Sequence, residues 1–157
     1  RDTITDFEVA IEQKHATITA IDLPVIDAVP IQIEQLFGNL LSNGLKYSRD
    51  GIAPFISVTA TIATQTEKQA HALLPGRLYY KIEFRDNGIG FSQEYSEQIF
   101  QIFQRLHGKN EYEGTGIGLA MCRKIAQNHE GLIFASSSGE GALFTVILPA
   151  VQNNSEV

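Results

Sequence analysis

Apolar residues in this chain recur at two spacings, every third or fourth position and every second position, and the switches between them divide it into elements. Phe7, Ala10 and Ile11 share one face of a helix that Thr5 and Glu8, at capping-box spacing, would open and that ends near Gln13. Residues 16–22 alternate and predict a strand, and Val25 to Val29 predicts a short second one. Pro30 suits a first helical turn, after which Ile33, Leu36, Phe37, Leu40, Leu41 and Leu45 keep helical spacing to about Tyr47. Beyond a polar turn over 48–54, β-branched alternation returns in Phe55 to Ala63 and in Leu78 to Phe84. The polar stretch between them, Thr64 to Arg77, ends in Pro75-Gly76 and reads as a long hairpin connection. Ser92 can cap a helix running to about Phe103, and residues 105–116 mix charges with glycines and predict a mobile loop. Ile117, Met121 and Ile125 mark a last helix. Leu132 to Ala135 and Ala142 to Leu148 then predict a strand pair joined by Gly139-Glu140-Gly141.

This order of elements lacks the strict strand–helix alternation of a doubly wound sheet. It predicts an α/β (α+β) two-layer sandwich, a mixed and mostly antiparallel sheet with helices on one face. Residues 1–151 are expected to form one domain, and 152–157 a disordered tail.

Composition narrows the function classes. A formal net charge of −6 and a pI near 5.1 argue against a nucleic-acid binder that works by bulk electrostatics. No apolar run approaches the ~20 residues of a membrane-spanning helix, so no direct membrane contact is expected. The single Cys122 excludes an intrachain disulfide and fits a reducing compartment. Residue 1 is Arg, so the chain is expected to be a piece of a longer protein.

Chemistry is concentrated in three places. Asn39, Asn43, Lys46 and Tyr47 form one stripe of the Pro30 helix, opposite its leucines. Asn is a mediocre helix former, and two of them one turn apart need a reason. Their carbonyl oxygens suit a hard cation such as Mg²⁺ that also keeps water and phosphate ligands, while Lys46 supplies a mobile positive charge. Asp86-Asn87-Gly88-Ile89-Gly90 follows a strand with no partner strand directly behind it, so its glycines point to close backbone approach, and Asp86 can accept from an exocyclic amine such as adenine's. Gly114-Thr115-Gly116-Ile117-Gly118 opens a helix whose free N–H groups favour anions. Its spacing is not that of a dinucleotide fingerprint, and Gly108-Lys109-Asn110 is not a P-loop.

Together these runs resemble the boxes of sensor histidine kinases. Residues 35–48 resemble the N box, Asp86 to Phe91 the G1 box, Phe100 and Phe103 the F box, and Gly114 to Leu119 the G2 box, in the family's order. The resemblance implies the Bergerat ATP-binding fold with ATP and Mg²⁺ as cofactors. It implies that Asp86 binds the adenine amine, that Gly88 and Gly90 admit the base, and that Asn43 ligates Mg²⁺ with Asn39 beside it. Lys46 and Tyr47 would face phosphates and ribose, and Phe103 would belong to the F box. Arg105 matches the lid arginine, the lid running to Gly116. Gly114, Thr115, Gly116, Ile117, Gly118 and Leu119 would close over the nucleotide. Asn39, Lys46 and Arg105 would carry catalysis, phosphoryl transfer being mostly positioning and charge neutralisation.

ATPase relatives carry a Glu where Asn39 stands, and an amide cannot take a proton at neutral pH, so transfer to an outside nucleophile is favoured over hydrolysis. Gly44 departs from the family's usual Ala. His15, His71, His107 and His129 lack the surroundings of a phosphoacceptor. The acceptor helix pair, which also dimerises, is therefore expected N-terminal to this piece, with a response-regulator receiver domain downstream. A cytoplasmic domain is expected, of a parent with or without a membrane anchor. Two alternatives are a serine/threonine kinase of the anti-sigma-factor type and a non-catalytic ATP-sensing module. The F-box phenylalanines speak against the first, Lys46 and Arg105 against the second.

Overall fold

The computed structural model describes residues 7–21, 23–101, 118–138 and 141–152. Its elements in chain order are α1 (Glu8–Lys14), β1 (Thr17–Ala20), α2 (Pro30–Lys46), β2 (Phe55–Ile62), α3 (Gln65–Ala70), β3 (Tyr79–Asp86), α4 (Gly118–Asn128), β4 (Leu132–Ser136) and β5 (Leu143–Pro149). Two 3₁₀ turns, Gln93–Tyr95 and Gln98–Phe100, lie between β3 and α4. The strands form one sheet in the order β1-β2-β3-β5-β4, in which only β1 and β2 are parallel. This is the mixed, mostly antiparallel sheet that the element order predicts.

Alternation along the strands gives the sheet two different faces. Ile56, Val58, Ile82, Phe84, Phe144, Val146, Ile133 and Ala135 point to the face where Leu36, Leu40, Leu41 and Leu45 of α2 and Cys122, Ile125 and Ala126 of α4 complete the main core. Phe37 meets Phe84 edge-on with ring centroids 4.9 Å apart. Removing these side chains from water is the main drive for the fold, at roughly 1.5–3 kcal/mol for each large one fully buried.

The opposite face is not bare. Tyr79 and Ile147 point there and are covered by the β2–β3 connection together with Ala63, Leu73, Leu132 and Phe134. That connection contains α3. Thr64 accepts from the Glu67 amide while the Glu67 carboxylate accepts from the Thr64 amide, a full capping box. Lys68, buried, donates to the carbonyls of Pro75 and Arg77, and His71 stacks on Phe134 at 4.7 Å. The main helices thus occupy one face as expected, but the plain hairpin connection is instead a short helix folded over the other.

Two further expectations are corrected. Val25 to Val29 is not a strand: between Pro24 and Pro30 it has no ladder partner, Asp27 N–H bonds the Ala150 carbonyl at 2.9 Å, and the Val29 carbonyl already accepts from the first turn of α2. The helix from Ser92 is replaced by the two 3₁₀ turns. The two tight turns drop Ile99 and Phe100 into the core, and residues 102 and 103, the end of the expected helix, lie outside the described residues. Thr5, the expected cap of α1, lies outside the described residues. Gln152 is held, its amide bonding Asp27 Oδ2 and its side chain the His129 carbonyl.

Candidate functional site

The last turns of α2 pack against the end of β3 and the loop behind it. Gly44 lies at this approach: a Cβ there would be in ordinary contact with the Asp86 Cβ at 3.7 Å and 2.6 Å from the Ile56 Cδ1, so the end of the Ile56 side chain would have to shift. Asn39, half-buried, donates from Nδ2 to the Gly118 carbonyl at 3.1 Å and so links α2 to the first residue of α4. Cys122 lies one turn further along α4, where burial pushes its thiol up to about 12 against the opposing pull of the Asn39 amide. Asn43 and Lys46 occupy the last turns of α2, both half-buried, and Tyr47 is its C-cap, its N–H bonding the Asn43 carbonyl at 3.0 Å. From α1, Lys14 reaches the Leu45 carbonyl at 2.6 Å and Ser48 Oγ at 3.2 Å, a cation on the helix C-terminus.

Asp86 ends β3 and organises the loop behind it. Its Oδ1 accepts from the Gly88 amide at 2.9 Å and from the Ala142 amide at 3.1 Å. Burial raises the Asp86 carboxyl above the usual carboxylate range, and these two amides pull partly back. Gly88 is tight because a Cβ would overlap the Tyr47 carbonyl oxygen. Gly90 has φ +68°, a conformation that favours glycine, and a Cβ there would meet Ser137 Oγ at 2.6 Å. The loop is tied down from both sides. Ile89 N–H bonds the Tyr47 carbonyl at 2.9 Å, Arg49 Nε bonds the Gly88 carbonyl at 3.1 Å, and Phe91 N–H bonds Ser137 Oγ at 3.1 Å. Asn87 points away from Asp86: Oδ1 accepts from Phe55 N–H at 2.8 Å and Nδ2 donates to the Ala53 carbonyl at 3.1 Å.

The structure therefore brings Asn39, Asn43, Lys46, Tyr47, Asp86, Gly88, Gly90 and Gly118 to one end of the sheet. Leu119, in the first turn of α4, packs partly buried against the main core. Phe103, Arg105, Gly114, Thr115, Gly116 and Ile117 lie outside the described residues. Phe100 is buried edge-on to Phe144 at 6.2 Å, with the Arg123 guanidinium 4.5 Å from its centroid. His129 is structural: its Nδ1 bonds the Ile125 carbonyl and its Nε2 accepts from Val29 N–H, each at 2.9 Å. Sequence reasoning named Asn87 within the Asp86 run without a role for its side chain, and missed Arg49, Ser137, Gly141 and Ala142. Gly141 alone carried a signal, as a hairpin glycine. It has φ +87°, and a Cβ on it would overlap the Asp86 carbonyl oxygen.

A half-buried carboxylate at a strand end, flanked by close-approach glycines and an amide-bearing helix, can accept a hydrogen bond from a flat, amine-bearing ligand. The family model for "Histidine kinase-, DNA gyrase B-, and HSP90-like ATPase" matches residues 28–152, most of the chain. The chain belongs to this ATPase family. Among relatives, the phytochrome-like protein Cph1 of Synechocystis is 39% identical over 140 residues, covering 88% of this chain and 17% of that protein. The chain thus spans about a sixth of that relative's length. Among solved structures, the mycobacterial sensor histidine kinase MprB superposes with a TM-score of 0.73 over 96% of this chain and 93% of that one, at 15% identity. Full-length ShkA in complex with AMPPNP gives 0.71 at 21% identity, covering 98% of this chain and 29% of that one. These two share the fold of this ATPase domain. Among its described residues no helix is long and apolar enough to cross a membrane.

Proposed function

We propose that this ATPase-family domain is the catalytic part of a sensor histidine kinase and transfers the γ-phosphoryl group of ATP to a histidine on a helix pair outside this chain. Asp86 would accept a hydrogen bond from the adenine amine, with Gly88 and Gly90 admitting the base. Lys46, Tyr47 and the residues from Gly114 to Leu119 would hold the phosphates and ribose, and Arg105 would neutralise charge that develops on the transferred group. Among the described residues no three His, Cys, Asp or Glu side chains come together. A Mg²⁺ ion arriving with the nucleotide would rest on the amide oxygens of Asn43 and Asn39 and on phosphate oxygens, a donor set that suits this hard cation. The domain would act in the cytoplasm, with a response-regulator receiver domain taking the phosphoryl group onward.

The observation that carries the choice of transfer over hydrolysis is Asn39. Its side chain is an amide already donating to the Gly118 carbonyl, and it offers no base to deprotonate an attacking water. The deciding experiment supplies γ-labelled ATP with and without a separate histidine-bearing helix pair. Acid-labile label on that partner supports the proposal, and steady phosphate release by the domain alone overturns it.

A further inference from the structure

Arg49 lies two residues past the C-cap of α2, in the stretch that sequence reads as a plain polar turn. A cation three residues from Lys46 in a nucleotide domain invites assignment to the phosphates. Its observed bond points elsewhere. Nε donates to the carbonyl of Gly88, the residue between Asp86 and the positive-φ Gly90, and the side chain is half-buried in doing so. The next amide, Ile89 N–H, bonds the carbonyl of Tyr47. Residues 47 and 49 thus grip both sides of the Gly88–Ile89 peptide. On the far side, Ala142 and Ser137 hold Asp86 Oδ1 and Phe91 N–H. The loop is clamped between the end of α2 and the β4–β5 turn, and the Arg49 side chain is part of the α2 side of the clamp.

We infer that Arg49 is a positioning residue for base recognition: it fixes the loop beside Asp86 and does not touch the phosphates. The inference rests on the reading that Asp86 accepts from the adenine amine. An Nε–H bond fixes the guanidinium in plane with the Gly88 carbonyl, which the flexible, single-point ammonium of Lys does not reproduce. Charge alone should therefore not substitute for it.

The test uses the 157-residue chain with Arg49→Ala, Arg49→Lys and Asp86→Asn, titrated with ADP, ATP and GTP in Mg²⁺ well below each variant's melting temperature. Losing one charge-assisted hydrogen bond predicts that Arg49→Ala weakens ADP and ATP by the same factor, about tenfold. Arg49→Lys should show most of that loss, and the preference for ATP over GTP should fall in both. A loss larger for ATP than for ADP and rescued by Lys would make Arg49 a phosphate ligand and overturn the inference. Unchanged affinity would overturn it too, as would a lowered melting temperature with the ATP-over-GTP preference intact, the mark of a merely structural residue. Asp86→Asn separates the two levels. If it binds ATP normally, the base reading itself fails. If it loses ATP while Arg49→Ala does not, only the role of Arg49 falls.

Discussion

Replacing Asp86 with Asn should move stability and affinity in opposite directions. Asn keeps a carbonyl oxygen for the amides of Gly88 and Ala142, which lie 2.9 and 3.1 Å from the carboxylate oxygen it replaces. It removes a charge that burial disfavours, and it turns the second oxygen into a donor. On the stability side, the carboxyl's value is raised above 3.8 in the folded state, so below 3.8 it is protonated in both states and carries no penalty. As pH rises through the raised folded value the proton leaves, the buried charge appears, and stability falls relative to the Asn variant. At neutral pH the variant should therefore melt no lower than the native chain, and any gain should vanish as pH falls below 3.8. On the binding side, a hydrogen bond from an amine to a charged acceptor is worth about 1.5–3 kcal/mol, so Mg-ATP affinity should drop by roughly 10- to 150-fold. Melting curves across pH without nucleotide, beside calorimetric titration at neutral pH, read both. A variant that melts several degrees lower at neutral pH yet binds ATP normally would mean the carboxylate holds the loop and does not read the base.

Three further outcomes follow from the packing. His129→Leu leaves the Val29 N–H without its acceptor at the start of α2, and should cost about 2–3 kcal/mol and lower the melting temperature by roughly 4–12 °C; a shift under one degree would show that the buried imidazole is dispensable. Gly44→Ala adds up to ~1 kcal/mol of helix propensity but sets a methyl 2.6 Å from Ile56 Cδ1, so the single variant should lie near neutral. Adding Ile56→Val should then cost less than it does in the native chain, which a double-mutant cycle of denaturant melts measures. Cys122, buried and with its thiol held near 12, should resist iodoacetamide in the native chain and react only in denaturant, and fast native labelling would contradict its burial.

The sheet and the helix carrying Asn39 and Asn43 were legible because each strand alternates and the leucines of α2 recur at a single period. The α2 stripe and the Asp86 loop were legible for a different reason: asparagines within a strong helix, and glycines where no partner strand arrives, are locally unfavourable unless something approaches them. The capping box Thr64–Glu67 stands in the sequence, but α3 has no apolar periodicity to draw attention to it. Its place over Tyr79 depends on Phe134, a residue some 65 positions away. Arg49, Ser137 and Ala142 act through hydrogen bonds to residues 39 to 56 positions away, and such bonds leave no pattern along the sequence. The resemblance to sensor kinases supplied roles for individual residues. It did not supply the contacts that hold them.

Asn87 and Gly88 form an Asn-Gly pair, the dipeptide in which the following amide nitrogen most readily attacks the side-chain carbonyl and converts Asn to aspartate or isoaspartate. In this fold both partners of that reaction are engaged: the Gly88 N–H is donated to Asp86, and the Asn87 amide is bonded at both ends to residues 53 and 55. The bonds that align the loop also protect it from chemical ageing. Unfolded chain should gain one dalton at this site over time while folded chain keeps its mass, so deamidation at Asn87 would record how much of its life a molecule has spent unfolded.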